Sequence, residues 1–128
     1  MEKYTFFMLL ILAATLAACS PKSKPEDPSV WKKIKFDLAR LDENGLAGPP
    51  DGKVAVSYEF CIPADETKWR EVQKLDGTAQ KNSGKGRVGC KGDQLLVIGS
   101  THQKNHRRVL YELAALVYVQ EIREVFFE

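Results

Sequence analysis

Large apolar residues alternate with polar or small residues along two stretches in the first half of the chain. From residue 34 to 38, and again from 54 to 62, every second residue is large and apolar. A period of two buries one face of an extended segment, so both stretches are predicted to be strands. Residues 43–52 between them are rich in Gly, Pro, Asn and Asp, and we expect a long exposed loop there.

Two later stretches carry apolar residues at helical spacing. Asp65 follows Pro63 and can cap a helix that runs through Trp69, Val72 and Leu75. A second helix is predicted from about Asn105 to Leu116. Its apolar stripe consists of Val109, Leu110, Leu113, Leu116 and Val117.

Turn residues divide the other apolar segments into three strands. Arg87–Cys90 and Leu95–Ile98 flank a Lys-Gly-Asp turn, which predicts a hairpin, and Val119–Phe127 is predicted to be the final strand. Without the N-terminal strand, the order is β-α-β-β-α-β, the split β-α-β pattern of ferredoxin-like folds. We therefore predict an α+β sandwich with two helices on one face of a mainly antiparallel sheet, extended by an extra N-terminal strand.

The first nineteen residues have the layout of a secretory signal. A short polar start precedes an apolar run, Phe6 to Leu12, and small residues lead to Cys19. Leu16-Ala17-Ala18-Cys19 resembles the lipobox of bacterial lipoproteins. The resemblance implies that residues 1–18 are removed and that Cys19 is lipidated and anchors the chain in a membrane. An ordinary signal peptide with a chance cysteine and a marginal transmembrane helix are the alternatives.

A lipid anchor implies a place in the cell envelope. In lipoproteins of bacteria with two membranes, the residue after the cysteine influences sorting, and Ser20 resembles cargo of the outer membrane, facing the periplasm or the surface. Residues 20–29 contain no apolar side chain, so residues 19–30 are predicted to form a Pro-rich tether. Residues 31–128 are expected to form a single α+β domain.

Cys61 and Cys90 remain as an even pair once Cys19 is lipidated. An exported, oxidising compartment favours a disulfide between them. The predicted fold opposes this, because the two cysteines would end parallel strands with one strand between them. Their α-carbons would lie about 9–10 Å apart, whereas a disulfide tolerates up to roughly 7 Å. Both predictions hold only if the strand ends splay or twist toward each other.

The connection from Gly99 to Arg108 is the most chemically suggestive segment. Cations at a helix N-terminus are unfavourable by about 0.3–1 kcal/mol each, and a bound anion would relieve them while accepting bonds from free N–H groups. The candidate anion-binding residues are Ser100, Thr101, His102, Lys104, Arg107 and Arg108. The alternative is that these side chains extend into water and pair locally, for example Arg108 with Glu112 at i and i+4.

The two histidines, His102 and His106, would share one helix face if the helix began by Thr101. Zinc needs three or four protein ligands, and the sequence offers no obvious third, so no metal site is predicted. Ser100 beside His102 lacks the G-x-S-x-G pattern of a nucleophile elbow. We therefore predict no catalytic residues and no cofactor.

These observations predict a membrane-anchored envelope lipoprotein that acts as a non-catalytic binding or assembly module. Its expected partners are the membrane, through the N-terminal lipid, and an envelope protein that contacts the 43–52 loop or the edge or open face of the sheet. A net charge of +2 gives no reason to expect nucleic-acid binding. The alternative function is a small anion- or ligand-binding domain that uses the segment from Ser100 to Arg108.

Overall fold

Two helices and a four-stranded sheet form the centre of the protein in the computed structural model, which describes residues 24–127. The described chain is a mixed α+β fold with three helices and two antiparallel sheets. The helices are α1 (Pro28–Trp31), α2 (Glu66–Leu75) and α3 (His106–Ala115). The strands are β1 (Leu46–Ala47), β2 (Val54–Ala55), β3 (Ser57–Pro63), β4 (Gln80–Asn82), β5 (Gln94–Ser100) and β6 (Arg123–Glu124).

The four-stranded sheet has the order β4-β5-β3-β6, and each neighbouring pair of strands is antiparallel. Strands β3 and β5 form its centre and pair over all 7 residues of each strand. In the smaller sheet β1 pairs with β2. The segment 43–52, predicted to be a long loop, is therefore part of a short hairpin.

The alternation of residues along β3 determines the core. Tyr58, Phe60 and Ile62 are fully buried among residues of α2 and α3, as the period-two pattern predicts. Val97 of β5 lies opposite Phe60 in the same core. The other buried members of the core come from the helices and their flanking segments: Ile34, Trp69, Val72, Leu110, Leu113, Ala114, Val119 and Ile122.

Both predicted helices are confirmed to within about one residue at each end. Asp65 caps α2 by accepting a hydrogen bond from the Thr67 N–H at 2.7 Å, and this helix buries Trp69 and Val72. Helix α3 begins at His106 and ends at Ala115, and it buries Leu110, Leu113 and Ala114 in the core. Val117, predicted on the apolar stripe, follows the helix and is 91% exposed. The two helices therefore form where their apolar spacing indicates.

The predicted N-terminal strand is wrong. Residues 34–38 contribute a single parallel bridge, between Ile34 and Ile122, and a 3-10 helix follows at Leu38–Arg40. The Asp37 carboxylate accepts a hydrogen bond from the Ala39 N–H at 2.9 Å. This local bond turns the chain where a strand would have continued.

A short helix occupies the end of the predicted tether. Helix α1 begins at Pro28, and the carboxylate of Asp27 accepts a hydrogen bond from the Ser29 N–H at 2.9 Å. Trp31 contacts Tyr111 of α3, with ring centroids 5.0 Å apart. The chain therefore joins the domain before residue 31, because Asp followed by Pro favours the start of a helix.

The predicted strand Arg87–Cys90 is also wrong, and the edge strand is β4. All three residues of β4 are polar and exposed, so no apolar alternation marks it in the sequence. Residues 83–93 form a loop instead, in which three glycines have positive φ and turn the chain. These glycines are Gly84, Gly86 and Gly89.

The final strand is much shorter than the predicted Val119–Phe127. Only Arg123 and Glu124 form β6. The Val119 N–H donates to the Leu116 carbonyl at 3.0 Å, so the chain is still turning where the strand was expected to begin. Val119 and Ile122 are buried in the core three residues apart, so the apolar residues here do not alternate as they would in a strand.

Candidate functional site

Thr101, a candidate anion-binding residue, is a buried structural contact. Its hydroxyl donates a hydrogen bond to the Gly45 carbonyl at 2.6 Å and accepts one from the Val56 N–H at 2.9 Å. Gly45 has a φ of +75°, and a Cβ at this position would collide with the Thr101 carbonyl. Thr101 therefore fastens the β1–β2 hairpin to the end of the central sheet, where Ser100 ends β5.

The cationic side chains of the same segment have separate contacts. The Arg107 guanidinium lies 4.6 Å from the ring centroid of Trp31. Arg108 forms an ion pair with Glu112 at 3.0 Å, which is the local pairing that the sequence leaves as the alternative. Lys104 is exposed. The structure does not gather these three cations around one point, and anion binding stays a prediction.

Helix α3 begins at His106, which is too late for His102 to share its face. Asn105 holds the N-cap position with a φ of 56°, and its side chain makes no capping hydrogen bond. His102 is exposed, with its Nδ1 3.4 Å from the Asn44 carbonyl oxygen, whereas the Nδ1 of His106 is buried without a partner. Within residues 24–127, no group of three or more His, Cys, Asp or Glu side chains could hold a metal ion.

A buried polar cluster that the sequence analysis missed lies at the end of α2. The Asp76 Oδ2 accepts a hydrogen bond from the Tyr58 hydroxyl at 2.5 Å. Its Oδ1 accepts bonds from the Thr78 N–H and hydroxyl at 2.8 and 2.7 Å, and from the Gln103 amide at 3.0 Å. The Gln103 amide also donates to the Ser100 carbonyl at 2.8 Å. The cluster therefore joins β3, α2, the end of β5 and the start of α3.

This polar cluster has a structural role. Asp76 is 1% exposed and its carboxylate accepts four hydrogen bonds from within the fold, so the group is closed to a ligand by burial. Burial, followed by the negative charge of Asp76, raises the pKa of Tyr58 far above its ordinary value. The only sequence signal is the turn Asp76-Gly77-Thr78 after the helix, in which Asp can bond its own backbone.

Cys61 and Cys90 form a disulfide, with their α-carbons 5.5 Å apart. The conflict between fold and disulfide disappears because Cys90 lies in the 83–93 loop and not in a strand. This loop covers the face of the sheet opposite the helices, and its Val88 N–H donates to the Glu59 carboxylate at 3.0 Å. Glu59 and Leu96 are buried beneath it. The face predicted as an open contact surface is therefore covered around Glu59 and Leu96.

A small cleft of about 90 Å³ lies beside the disulfide, and we call it the disulfide cleft. The Tyr118 ring forms one wall, and its hydroxyl is buried without a hydrogen-bond partner. Burial, followed by the charge of Glu71, raises the pKa of Tyr118 to about 12, so the phenol is neutral at physiological pH. The other walls include Cys61, Lys91, Gln94, Gln120 and Glu121.

An apolar groove separates the β1–β2 hairpin from the segment that follows β6. Arg40 and Glu124 form an ion pair at 3.0 Å within its lining. Val54 and Phe127 are 63% and 74% exposed. The apolar lining includes Ala47, Val54, Ala55, Val56, Val125 and Phe127. Large apolar side chains this exposed mark a surface that favours contact with another apolar surface.

The base of the hairpin is held by a surface ion pair. Lys53 contacts the Asp42 carboxylate at 2.7 Å, and the Leu46 N–H donates to the same carboxylate at 3.0 Å. The Lys53 hydrogen bond, with help from Leu46, lowers the pKa of Asp42 to about 2. Asp42 therefore stays ionised through the physiological range, and the hairpin keeps this contact.

Cys19 and the predicted signal segment lie outside the described residues. Between residues 24 and 127, no helix has the length and apolar character needed to cross a bilayer. Comparison of the chain with protein-family models, with curated proteins and with solved structures gave no match.

Proposed function

We propose that this chain is a bacterial envelope lipoprotein, anchored through a lipidated Cys19, whose domain is a non-catalytic binding or assembly module. The lipobox-like sequence before Cys19 supports the anchor. The Cys61–Cys90 disulfide supports an exported location, because disulfides persist in oxidising compartments and are rare in the cytosol. Sorting to the outer membrane, suggested by Ser20, is part of the same proposal.

We also propose that the domain is a ferredoxin-like split β-α-β sandwich. The strand order β4-β5-β3-β6 supports this topology, since β5 lies between β4 and β3, the two strands that α2 connects. In the same way, α3 connects β5 to β6 across β3. The segment before β3 would then be an addition to that unit.

The disulfide cleft is the observation that carries the binding role. Its volume of about 90 Å³ is well below the roughly 300–1,000 Å³ of sites for small molecules and cofactors. A cleft of this size suits one side chain of a protein partner. The Tyr118 side chain lines this cleft, and Val117, the residue before it in the chain, is 91% exposed.

The buried acids support a non-catalytic role. A general base needs a free lone pair within reach of substrate. The Asp76 carboxylate is buried and bonded to side chains of the fold, and Glu59 lies buried beneath the disulfide-held loop. Both are parts of the scaffold.

The anchor is tested by metabolic labelling with radioactive palmitate and by flotation with membranes. We expect label on the wild-type protein, and loss of label and of flotation in Cys19→Ala. An unlabelled wild-type protein, or a Cys19→Ala variant that floats equally well, would overturn the anchor.

The binding role is tested by placing a photo-crosslinking amino acid at Val117 in intact cells, with Lys81 on the opposite edge of the sheet as the matched exposed control. We expect one adduct of constant size from position 117, weakened by Tyr118→Ala, and none from position 81. Equal adducts at both positions, or none at 117, would contradict the proposed docking cleft.

The anion-binding alternative has less support, because Arg107 and Arg108 are engaged with Trp31 and Glu112. The buried Nδ1 of His106 without a partner favours it, as does the surface cleft that Lys24, Arg107 and Arg108 line together. Thermal unfolding with and without phosphate tests it. A rise in Tm that Arg107→Ala with Arg108→Ala abolishes would establish an anion site, and unchanged melting would remove it.

A further inference from the structure

Three of the four large apolar side chains that are strongly exposed within residues 24–127 occur at one end of the domain. They are Val54, Phe126 and Phe127, at 63%, 57% and 74% exposure. Val54 lies in the hairpin just before β3, and the Val125 N–H donates to the Ser57 carbonyl at the start of β3. We call this the hairpin end.

The hairpin end is also where the described chain begins. Helix α3 starts at this end, because β5 finishes at Ser100 and the hairpin is bonded to Thr101. Lys24 shares a surface cleft with Asn105 and Arg108 at the start of α3. The disulfide cleft lies toward the other end, where β3 finishes and β5 begins, about 20 Å away along a strand of this length.

The length of chain before Lys24 limits how far the hairpin end can lie from a lipid anchor. Lys24 follows Cys19 by five positions, and at about 3.6 Å per position the two residues lie at most about 18 Å apart. That reach is shorter than the long axis of the sheet. If Cys19 carries the lipid, the hairpin end is the end held beside the bilayer.

We propose that the bilayer that holds the anchor is the second binding partner of this protein, and that Val54, Phe126 and Phe127 enter its interfacial region. This inference rests on the proposed lipidation of Cys19. Exposed aromatic and aliphatic side chains enter the boundary between headgroups and acyl chains when they are held beside it. At the same end Arg40 and Lys53 are paired with Glu124 and Asp42, so the contact depends on the apolar side chains and not on a positive charge of this surface. The disulfide cleft then points away from the membrane.

The test uses the protein purified from cells that express the full chain, mixed with vesicles of phosphatidylcholine and phosphatidylglycerol. An environment-sensitive fluorophore is attached to Phe127→Cys, to Val54→Cys or, as the matched control, to Val117→Cys. Val117 is apolar and 91% exposed but follows α3 at the opposite end. We expect blue-shifted emission and quenching by nitroxide lipids for labels at 127 and 54, and emission typical of water at 117.

The outcomes separate this inference from the anchor on which it rests. Protein that fails to float with vesicles overturns the lipidation of Cys19. Protein that floats but shows water-like emission at 54, 127 and 117 alike overturns only the bilayer contact. A label at 127 that is shielded but not quenched by nitroxide lipids, together with a dimer in crosslinking, assigns the surface to a second copy and also overturns it.

A measurement on the wild-type chain does not depend on whether the labelled variants fold correctly. Hydrogen exchange of the acylated wild-type protein is compared in detergent and on vesicles. We expect amides of residues 46–55 and 125–127 to exchange at least threefold more slowly on vesicles, with residues 117–121 unchanged. Equal exchange of both regions would overturn the inference.

Discussion

Both faces of the central sheet are covered, but one is covered by helices and the other by a loop. On one face Tyr58, Phe60 and Ile62 pack against helices whose apolar residues recur at helical spacing. On the other face Glu59 and Leu96 lie beneath a glycine-rich loop held by one disulfide and a bond from the Val88 N–H. The first face is maintained by apolar packing, and the second by covalent and backbone contacts.

The largest expected effect on the free energy of unfolding comes from replacing Leu by Ala, and the loss should differ between the two faces. Leu113→Ala leaves a cavity within the helix-packed core and should lower the free energy of unfolding by about 4 kcal/mol. Leu96→Ala should cost only about 2 kcal/mol, because the loop above it can settle into the space. Urea unfolding measures both, and equal losses would break the comparison.

Removal of the disulfide tests the loop-covered face. Cys61→Ala with Cys90→Ala opens a crosslink of 29 residues, which should lower the free energy of unfolding by about 3 to 4 kcal/mol. Hydrogen exchange should accelerate at Val88, while amides at the centre of β3 stay protected in the folded state. Acceleration throughout β3 under native conditions would show that the disulfide supports the whole sheet.

The polar cluster at the end of α2 provides a further test of what stabilises the helix-packed face. Tyr58→Phe removes one of the donors to the buried Asp76 carboxylate and should lower the free energy of unfolding by about 2 kcal/mol. The matched control is Tyr111→Phe, which loses an exposed bond from the Asp27 N–H and should cost less than about 1 kcal/mol. Similar losses in the two variants would mean that burial of the Asp76 carboxylate adds little to the free energy of unfolding.

The smallest effect concerns the contact of the loop with the sheet. Gly86 and Gly89 have positive φ values of 63° and 75°. A Cβ at Gly86 would lie 2.6 Å from the Glu59 carboxylate, whereas a Cβ at Gly89 meets nothing within 4 Å. Gly86→Ala should therefore destabilise the protein by about 1 kcal/mol more than Gly89→Ala. Thermal unfolding of the two variants checks this difference, and equal Tm values would contradict close packing of the loop.

The helix-packed face could be predicted from the sequence because its pattern is periodic. Alternation from Val56 to Ile62 and the stripes around Val72 and Leu113 indicate β3 and both helices. The predicted strand began too early, because Val54 lies in β2 and is 63% exposed. Strand β4 could not be found in this way, since Gln80–Asn82 are polar and exposed. The apolar residues of Val119–Phe127 misled the prediction for the opposite reason, because Val119 and Ile122 are buried in the core and Phe126 and Phe127 are exposed, whereas only Arg123 and Glu124 form β6.

The candidate sites were less predictable than the fold. The Cys61–Cys90 pair was found by counting cysteines, but its location over the sheet depends on the path of a loop that no period describes. The polar cluster depends on a contact between Tyr58 and Asp76, residues 18 positions apart. Tyr118 resembles any other aromatic residue in the sequence, and its unpartnered hydroxyl is a property of the folded chain alone.

The way residues 27–35 are fastened determines how the protein would respond to mechanical pulling from its N-terminal side. The Asp27 N–H bonds to Tyr111, the Lys33 ammonium bonds to the Val119 carbonyl, and Lys35 bonds to the Ile122 carbonyl. These contacts lie in sequence along the chain, so tension would peel them off one at a time. The segment would therefore extend under load before the force reaches β3 and β5.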